Sequence, residues 1–356
     1  MSYGAPPGWD YRVDMAGSDK KRFTRRTPDQ AQIVRRTIQV LFLLLNLWIG
    51  ARFYQFVRFY ETGGQSAWMP RPAGVEGYLP IAGLMNLKYF ALTGIVPDVH
   101  PAGMFLLTAF IAISWLVRKA FCSWLCPVGT LSEWLWMLGR KVFGRNVAAP
   151  RWLDVPLRGL KYLLFGFFAY AVGSMSAGDL AAFIHGPYGL VADVKMLNFF
   201  RHLGEVGAVI LGVLVVGSVL VKNLWCRYLC PYGALLGIVS LASPTRIRRN
   251  ADACIDCAKC AKACPSLLPV DKLPMIRSAE CTGCLECVTI CPAKGALNLS
   301  VARTRPVPTW AVVVVIAVVF FGTVSAAKLT GHWNSAVPDW MYRQLVPNAD
   351  TYDHPK

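Results

Sequence analysis

The chain contains the run CIDCAKCAKACP at residues 254–265 and the run CTGCLECVTICP at residues 281–292. In each run three cysteines are spaced as Cys-x2-Cys-x2-Cys, and a fourth cysteine follows after three more residues, just before a proline. Three such thiolates bind one face of an iron–sulfur cubane, while the fourth reaches the neighbouring cluster. Zinc sites also use paired cysteines, but two complete runs ending in Cys-Pro favour iron–sulfur. The spacing therefore predicts two [4Fe–4S] clusters, one bound by Cys254, Cys257, Cys260 and Cys291 and the other by Cys281, Cys284, Cys287 and Cys264.

Two further cysteine pairs precede these runs and share the pattern Cys-x3-Cys-Pro. The segment FCSWLCPVG at 121–129 matches WCRYLCPYG at 225–233, which makes an internal repeat with an offset of 104 residues. On a helix both thiols of a pair would share one face, so packing of the repeats would bring four sulfurs together: Cys122, Cys126, Cys226 and Cys230. We expect a third metal or redox centre there. A further cluster, a tetrahedral metal site and reversible thiol chemistry remain open, with buried structural cysteines as the alternative. Basic neighbours would favour thiolates or an anionic cluster: Arg118, Lys119 and Arg227.

The composition indicates a membrane protein. Hydrophobic residues make up 55% of the chain and charged residues only 16%, whereas soluble domains carry about 25% charged residues. This excludes a disordered chain and disfavours an ordinary soluble enzyme. Five apolar stretches are candidates to cross a bilayer, which takes about 20 residues per helix: Ile38–Tyr60, Pro101–Val117, Leu160–Met175, Val206–Val221 and Thr309–Ala327.

The net charge of +17 is distributed unevenly along the chain. With the N-terminus inside, segments 1–37, 118–161 and 222–308 hold 28 Lys and Arg against 11 Asp and Glu, and the rest holds nine of each. Cytoplasmic loops of membrane proteins carry such an excess of positive charge. The basicity therefore predicts an orientation and a contact with the lipid bilayer, and it gives no evidence for a nucleic acid partner.

Together these features predict a mainly α polytopic membrane protein. Five transmembrane helices form two parallel hairpin repeats plus a fifth helix, with a small α+β dicluster ferredoxin insert. The expected parts are a basic cytoplasmic segment (1–37), a four-helix membrane domain (38–244), a cytoplasmic ferredoxin domain (245–306), the fifth helix (307–327) and a periplasmic tail (328–356).

Ionisable residues on the predicted outer side suggest a second site. Glu76, His100 and Asp193 lie next to apolar stretches there, and ionisable groups at membrane depth are functional candidates. Oxidation of a quinol releases two protons, which carboxylates and histidines accept near neutral pH. We expect these three residues to handle protons at an outer quinol site, with contacts to a protein partner as the competing use.

The doubled Cys-x3-Cys-Pro segment followed by the double ferredoxin run resembles the NosR/NapH-type membrane polyferredoxins. So do Arg71-Pro72-x-Gly74-Val75-Glu76, His100-Pro101-Ala-Gly103 and Val191-Ala192-Asp193-Val194-Lys195. The likeness extends from about residue 38 to the end of the chain. In layout the chain looks closer to NapH and to a YccM-like stand-alone form than to NosR, whose large periplasmic flavin-binding domain it lacks.

The resemblance implies an electron-transfer protein of the bacterial inner membrane. It would exchange electrons between membrane quinol and a periplasmic or membrane-associated redox protein, in the manner of a quinol dehydrogenase serving a periplasmic reductase. Two alternatives remain open from the sequence: an assembly factor that reduces metal ions or thiols for another enzyme, and an electron-relay subunit of a larger complex.

Overall fold

A computed structural model describes residues 24–26, 30–301 and 305–354, so most of the predicted basic segment 1–37 lies outside the described residues. The structure is mostly helical. Its helices are α1 (Ala31–Glu61), α2 (Pro80–Thr93), α3 (Pro101–Leu116), α4 (Ala120–Trp124), α5 (Pro127–Phe143), α6 (Arg151–Ser174), α7 (Ala177–His185), α8 (Pro187–Leu190), α9 (Ala192–Arg201), α10 (Glu205–Leu220), α11 (Pro231–Leu241), α12 (Lys259–Ala263), α13 (Glu286–Thr289), α14 (Thr309–Leu329) and α15 (Asp339–Leu345). Its strands are β1 (Val117–Lys119), β2 (Thr245–Arg249), β3 (Leu297–Val301) and β4 (Arg305–Pro306).

Three helices of the described residues are long and apolar enough to cross a membrane: α1, α14 and the Trp152–Ser174 part of α6. Helices α9 and α10 meet at an angle of 81° and make a fourth span if they are taken as one. The five predicted spans are therefore not confirmed. The predicted span Pro101–Val117 is the clearest difference, because the 16 residues of α3 reach only about 24 Å, less than the ~30 Å of a bilayer core.

Helix α3 lies in the interior of the helical assembly. Leu106, Ala109, Phe110 and Ile113 are all buried, and the helix packs against α2, α11 and α14. A helix buried inside the protein needs apolar side chains but does not need the length of a transmembrane helix. The sequence of α3 is therefore as hydrophobic as a transmembrane helix, although α3 is shorter.

The two repeats pack against each other reciprocally. The helix after the first Cys-x3-Cys-Pro segment, α5, packs on α10, which precedes the second segment, while α11 packs on α3 in the same way. The contact of α5 with α10 is close at Gly139, where a Cβ atom would lie 1.8 Å from the carbonyl oxygen of Val219. In each repeat, the helix that follows the cysteine pair therefore packs on the helix that precedes the pair of the other repeat.

The ferredoxin region shares one hydrophobic core with the helices. Strands β2, β3 and β4 form an antiparallel sheet in that order, with Ile247 opposite Leu299. Both side chains are buried in the same cluster as Ile113 of α3 and Val312 of α14. A second core at the other end of the helices contains residues of α1, α7 and α15, among them Phe56, Leu180 and Tyr342.

Candidate functional site

The two ferredoxin runs fold into loops of matching conformation. Asp256 and Ala258 have φ values of 53° and 54°, and the equivalent Gly283 and Leu285 have values of 63° and 60°. A short helix follows at the same position of each loop, α12 after the first and α13 after the second. Left-handed residues in turns let successive backbone N–H groups point into one concavity, which binds anions. Both loops therefore suit an anionic iron–sulfur cluster.

The cysteines that we expect to bind the second cluster lie around one small cavity: Cys264, Cys281, Cys284 and Cys287. All four are buried. Burial raises the pKa of the Cys287 thiol, and its neighbours Cys284, Cys281 and Cys264 raise that pKa further. The smallest of these contributions comes from Cys260, which belongs to the other set. Cys264 comes from the first run, so the cysteines around this cavity are the members of the crossed set, and the binding of a cluster by them stays a prediction.

The cysteines of the first predicted cluster are also neighbours, and they are more exposed. Burial raises the pKa of Cys291, and the nearby thiols of Cys257 and Cys254 raise it further. Burial likewise raises the pKa of Cys260 to about 11, with contributions from Cys291 and Cys257. Cys257 is exposed, and the other three are partly buried. Among the described residues, no group of three or more His, Cys, Asp or Glu side chains is placed to hold a metal ion.

Each Cys-x3-Cys-Pro pair sits at a break between helical segments. Cys122 belongs to α4, whereas Cys126 is the N-cap of α5, and its sulfur accepts a hydrogen bond from Gly129 N at 3.4 Å. In the second repeat Cys226 lies in a π-helical turn, and Cys230 caps α11 in the same way, with Gly233 N at 3.3 Å. The two thiols of a pair therefore do not lie on one continuous helix, because the proline after the second cysteine begins a new helix.

The four thiols of the two pairs nevertheless lie around one cavity: Cys122, Cys126, Cys226 and Cys230 all line it. The thiol of Cys226 interacts electrostatically with the other three. Gly129 permits the tight turn within the first pair, since a Cβ atom there would lie 2.2 Å from the carbonyl oxygen of Cys122. The four thiols therefore border one cavity between the repeats.

The basic residues beside the pairs have different roles. Arg118 donates to the carbonyl oxygens of Ser240 and Ser278, and Arg227 forms an ion pair with Asp154 at 2.9 Å. Lys119 is the predicted cation that acts electrostatically on the thiols, including Cys122 and Cys230. A lysine that the sequence analysis did not single out joins it: Lys161 is fully buried on α6 and pairs with Glu280 at 2.6 Å.

At the other end of the helices the three predicted proton-handling residues surround Arg71. The guanidinium lies 2.6 Å from Glu76 Oε1, 2.8 Å from Asp193 Oδ2 and 2.9 Å from His100 Nδ1. Burial raises the pKa of Glu76, but the Arg71 guanidinium lowers it, and the resulting pKa is below its usual value. The sequence analysis did not identify Arg71 as a site residue, although it quoted the motif that contains it.

The hydrogen bonds of this cluster fix the tautomer of His100. Its Nε2 lies 2.9 Å from the carbonyl oxygen of Gly189, and since a carbonyl only accepts, Nε2 carries the proton. Nδ1 then accepts from Arg71. Glu76, His100 and Asp193 are all buried and directed at Arg71, and their side chains hold the guanidinium in place.

A single large cavity connects the two ends of the helical assembly. Its volume is about 1050 Å³, and its lining includes Arg71 at one end and the four Cys-x3-Cys-Pro cysteines at the other. Between them the walls are mainly apolar, with Leu106, Phe110 and Phe320 among the side chains. Tyr78 also lines the cavity, and burial together with Cys126 raises its pKa to about 12. The cavity has the size and lining of a site for an apolar molecule with a polar head.

Comparison with known proteins identifies the family. The model of a 4Fe-4S binding domain matches residues 99–146 and again 203–250, and the model of a 4Fe-4S dicluster domain matches residues 246–300. YccM of Escherichia coli, which is named an electron transport protein, is 50% identical over 326 residues, covering 90% of this chain and 91% of the relative. The chain belongs to the NosR/NapH-type polyferredoxins.

More distant relatives share parts of this polyferredoxin. The regulatory protein NosR of Pseudomonas aeruginosa is 31% identical over 52% of this chain and 25% of the relative. The ferredoxin-type protein NapH of Escherichia coli is 26% identical over 58% of this chain and 70% of its own length. No solved structure matches. The two matches of the 4Fe-4S binding domain model each contain one Cys-x3-Cys-Pro pair, and the dicluster match contains the ferredoxin runs. This polyferredoxin therefore has iron–sulfur domains in both parts of the chain and an electron-transport role.

Proposed function

We propose that this polyferredoxin is an inner-membrane protein that exchanges electrons between membrane quinol and a redox partner. The N-terminus and the ferredoxin region lie in the cytoplasm, the C-terminus lies in the periplasm, and the partner is a periplasmic reductase or a membrane-associated redox protein. Two [4Fe–4S] clusters and a centre held by Cys122, Cys126, Cys226 and Cys230 supply one-electron redox chemistry. The observation that carries the proposal is the cavity that extends from Arg71 to these four thiols.

In this proposal the cavity binds a quinone with its head group near Arg71. The guanidinium has five donors and always carries a charge, so it is suited to donate a hydrogen bond to a quinone oxygen. Glu76 and Asp193 hold it through ion pairs of 2.6 and 2.7 Å. Quinol oxidation releases two electrons and two protons, and we propose that Glu76, His100 and Asp193 accept the protons at this end.

A variant that fills the cavity tests this proposal. Val324 of α14 lines the cavity, whereas Val318 of the same helix is 65% exposed on the outer surface. We expect Val324→Trp to slow the oxidation of dithionite-reduced protein by a short-chain quinone about tenfold or more, with Val318→Trp at the wild-type rate. Both variants should retain the wild-type iron content. Equal rates in Val324→Trp and wild-type protein would show that the quinone does not react in this cavity.

Iron and acid-labile sulfide per chain test the centre between the repeats. Anaerobically purified protein with two clusters contains about eight irons, and a further cluster raises this to about ten to twelve. We expect Cys226→Ser to lower the higher value to about eight and to remove one EPR signal from the dithionite-reduced protein. If iron content, spectra and electron transfer are unchanged in this variant, the Cys-x3-Cys-Pro pairs have only a structural role.

A further inference from the structure

The loop around Cys281 and Cys284 packs directly on the first Cys-x3-Cys-Pro segment. Trp124 Nε1 donates to the carbonyl oxygen of Gly283 at 3.2 Å, and Ser123 Oγ donates to the carbonyl oxygen of Thr282 at 2.7 Å. This loop therefore lies against the segment that carries Cys122 and Cys126.

The second repeat contacts the same set of cluster cysteines from its other side. Arg227 Nη1 donates to the carbonyl oxygen of Ser266 at 2.7 Å, two residues after Cys264. Pro265, Ser266 and Cys284 also line the large cavity together with the four thiols of the repeats. Both repeats thus border the set of Cys264, Cys281, Cys284 and Cys287, which is the set nearest to the membrane helices.

The other set of cysteines faces water. Cys257 is its exposed member, and Ile290, next to Cys291, is 47% exposed. The N-terminal segment 24–26 borders this set, because Lys294 N donates to the carbonyl oxygen of Thr24 and Arg26 N donates to that of Pro292. The exposed cysteine and an exposed apolar side chain therefore lie on the water-facing side of the ferredoxin region.

Positive charge dominates around this exposed corner. Arg25, Lys259 and Lys294 are exposed beside it. Three acids lie near it: Asp252, Asp256, which forms an ion pair with Arg249 at 3.1 Å, and the partly buried Asp271, whose charge acts on Cys260. An apolar centre with a basic rim attracts a partner of opposite charge and speeds its association.

We propose that this corner is the docking site of a small, acidic, water-soluble protein that carries one electron at a time. We define it as the carrier face, consisting of Cys257, Ile290, Lys259, Lys294 and Arg25. The inference rests on the proposed function, and it adds a second, cytoplasmic partner, which exchanges electrons at the set of Cys254, Cys257, Cys260 and Cys291. The buried set lies between that face and the repeats.

Because the carrier transfers one electron and a quinone takes up two, two carrier molecules must bind for each quinone that is reduced. Each reduced carrier gives up one electron and is oxidised, and two such electrons together with two protons convert one quinone into one quinol. The same face serves the reverse reaction, in which one quinol reduces two oxidised carriers and releases two protons.

Binding of flavodoxin, a small acidic one-electron flavoprotein, to the detergent-solubilised full chain tests the proposal. The variant pair Lys259→Glu with Lys294→Glu reverses two charges on the carrier face. The matched control, Lys141→Glu with Arg145→Glu, reverses two exposed charges at the end of α5 and just after it. We expect the first double variant to bind about tenfold more weakly at low ionic strength, and the difference to disappear in high salt because the interaction is screened.

The control variant should bind as the wild type does, and both double variants should keep the wild-type iron content. Equal loss of binding in the two variants, or no loss in the first, would overturn the assignment of the carrier face. Failure of the proposed function has a different signature. In that case flavodoxin binds in a charge-dependent manner, but dithionite-reduced protein does not reduce a quinone. Quinone reduction without charge-dependent flavodoxin binding would instead overturn the docking site alone.

Discussion

At the scale of single residues, Arg71 organises one end of the molecule. Its side chain is the common partner of Glu76, His100 and Asp193, which come from three separate segments of the chain. The sequence alone could single out the two acids and the histidine, because they are ionisable residues next to apolar stretches. It could not show that one arginine satisfies all three, because that requires the packing of the intervening helices.

We predict that Arg71→Ala destabilises the protein by about 3–5 kcal/mol, since it leaves two buried carboxylates without a counter-charge. Thermal unfolding in detergent measures this. Arg343→Ala removes an exposed ion pair with Asp339, and we expect a much smaller change there. A loss in Arg71→Ala no greater than that in Arg343→Ala would show that the buried cluster contributes little to stability.

The same cluster predicts a dependence of stability on pH. The pKa of Glu76 in the folded protein is below its ordinary value of 4.5, so the carboxylate stabilises the fold above that value. This contribution is lost as the pH falls from about 4.5 through the folded-state pKa. Unfolding free energies measured between pH 3 and pH 7, about the range for such a carboxyl group, should therefore fall less steeply on acidification in Glu76→Gln than in the wild type. Parallel curves would contradict this role.

Gly283 is a second position where one residue decides the local structure. Its φ is +63°, and a Cβ atom there would lie 2.9 Å from the carbonyl oxygen of Val117. Gly295 has a φ of +77° and open space around it. Both alanine variants therefore carry backbone strain of about 1 kcal/mol. We predict that only Gly283→Ala also lowers the iron content, because it pushes the Cys281–Cys284 loop away from β1. Equal iron content in the two variants would show that this contact is dispensable.

At the scale of elements, the cysteine spacing was more informative than the hydropathy. The crossed grouping of Cys264 with the second run follows from a local pattern, and the structure brings those residues together. The number of transmembrane helices depends on how long each helix is and on whether it packs inside the protein. The apolar stretch Pro101–Val117 does not reveal either property. The break beside the paired thiols, by contrast, has a signal in the sequence, because Pro127 and Pro231 directly follow the second cysteines and each begins a new helix.

Reciprocal packing of the repeats gives a prediction at this scale. Gly139 of α5 lies against the backbone of α10, whereas a Cβ atom at Gly166 of α6 would meet nothing within 4 Å. Alanine is favoured over glycine in a helix by about 1 kcal/mol, so we expect Gly166→Ala to raise the thermal stability slightly. Gly139→Ala should lower it, because the new Cβ atom would lie 1.8 Å from Val219 O and force the helices apart. Similar stabilities of the two variants would contradict close packing of α5 on α10.

At the scale of the whole molecule, the ferredoxin region and the helices share one hydrophobic core. Ile247 and Leu299 of the sheet are buried in the same cluster as Ile113 and Val312 of the helices. Arg35 of α1 also forms an ion pair with Glu286, in the second ferredoxin run, at 3.1 Å. Residues on both sides of the expected domain boundary at residue 245 therefore belong to the same hydrophobic core.

We predict that residues 245–306 expressed alone do not fold into a protein with two stable clusters. Removing the helices takes the buried side chains of α3 and α14 out of the core that the sheet shares with them, and a region of about 60 residues is only marginally stable by itself. Reconstitution with iron and sulfide under anaerobic conditions, followed by iron analysis and EPR, measures the outcome. The full chain treated in the same way is the control. A fragment that holds about eight irons and gives the same spectra as the full chain would show that the shared core is not needed for cluster binding.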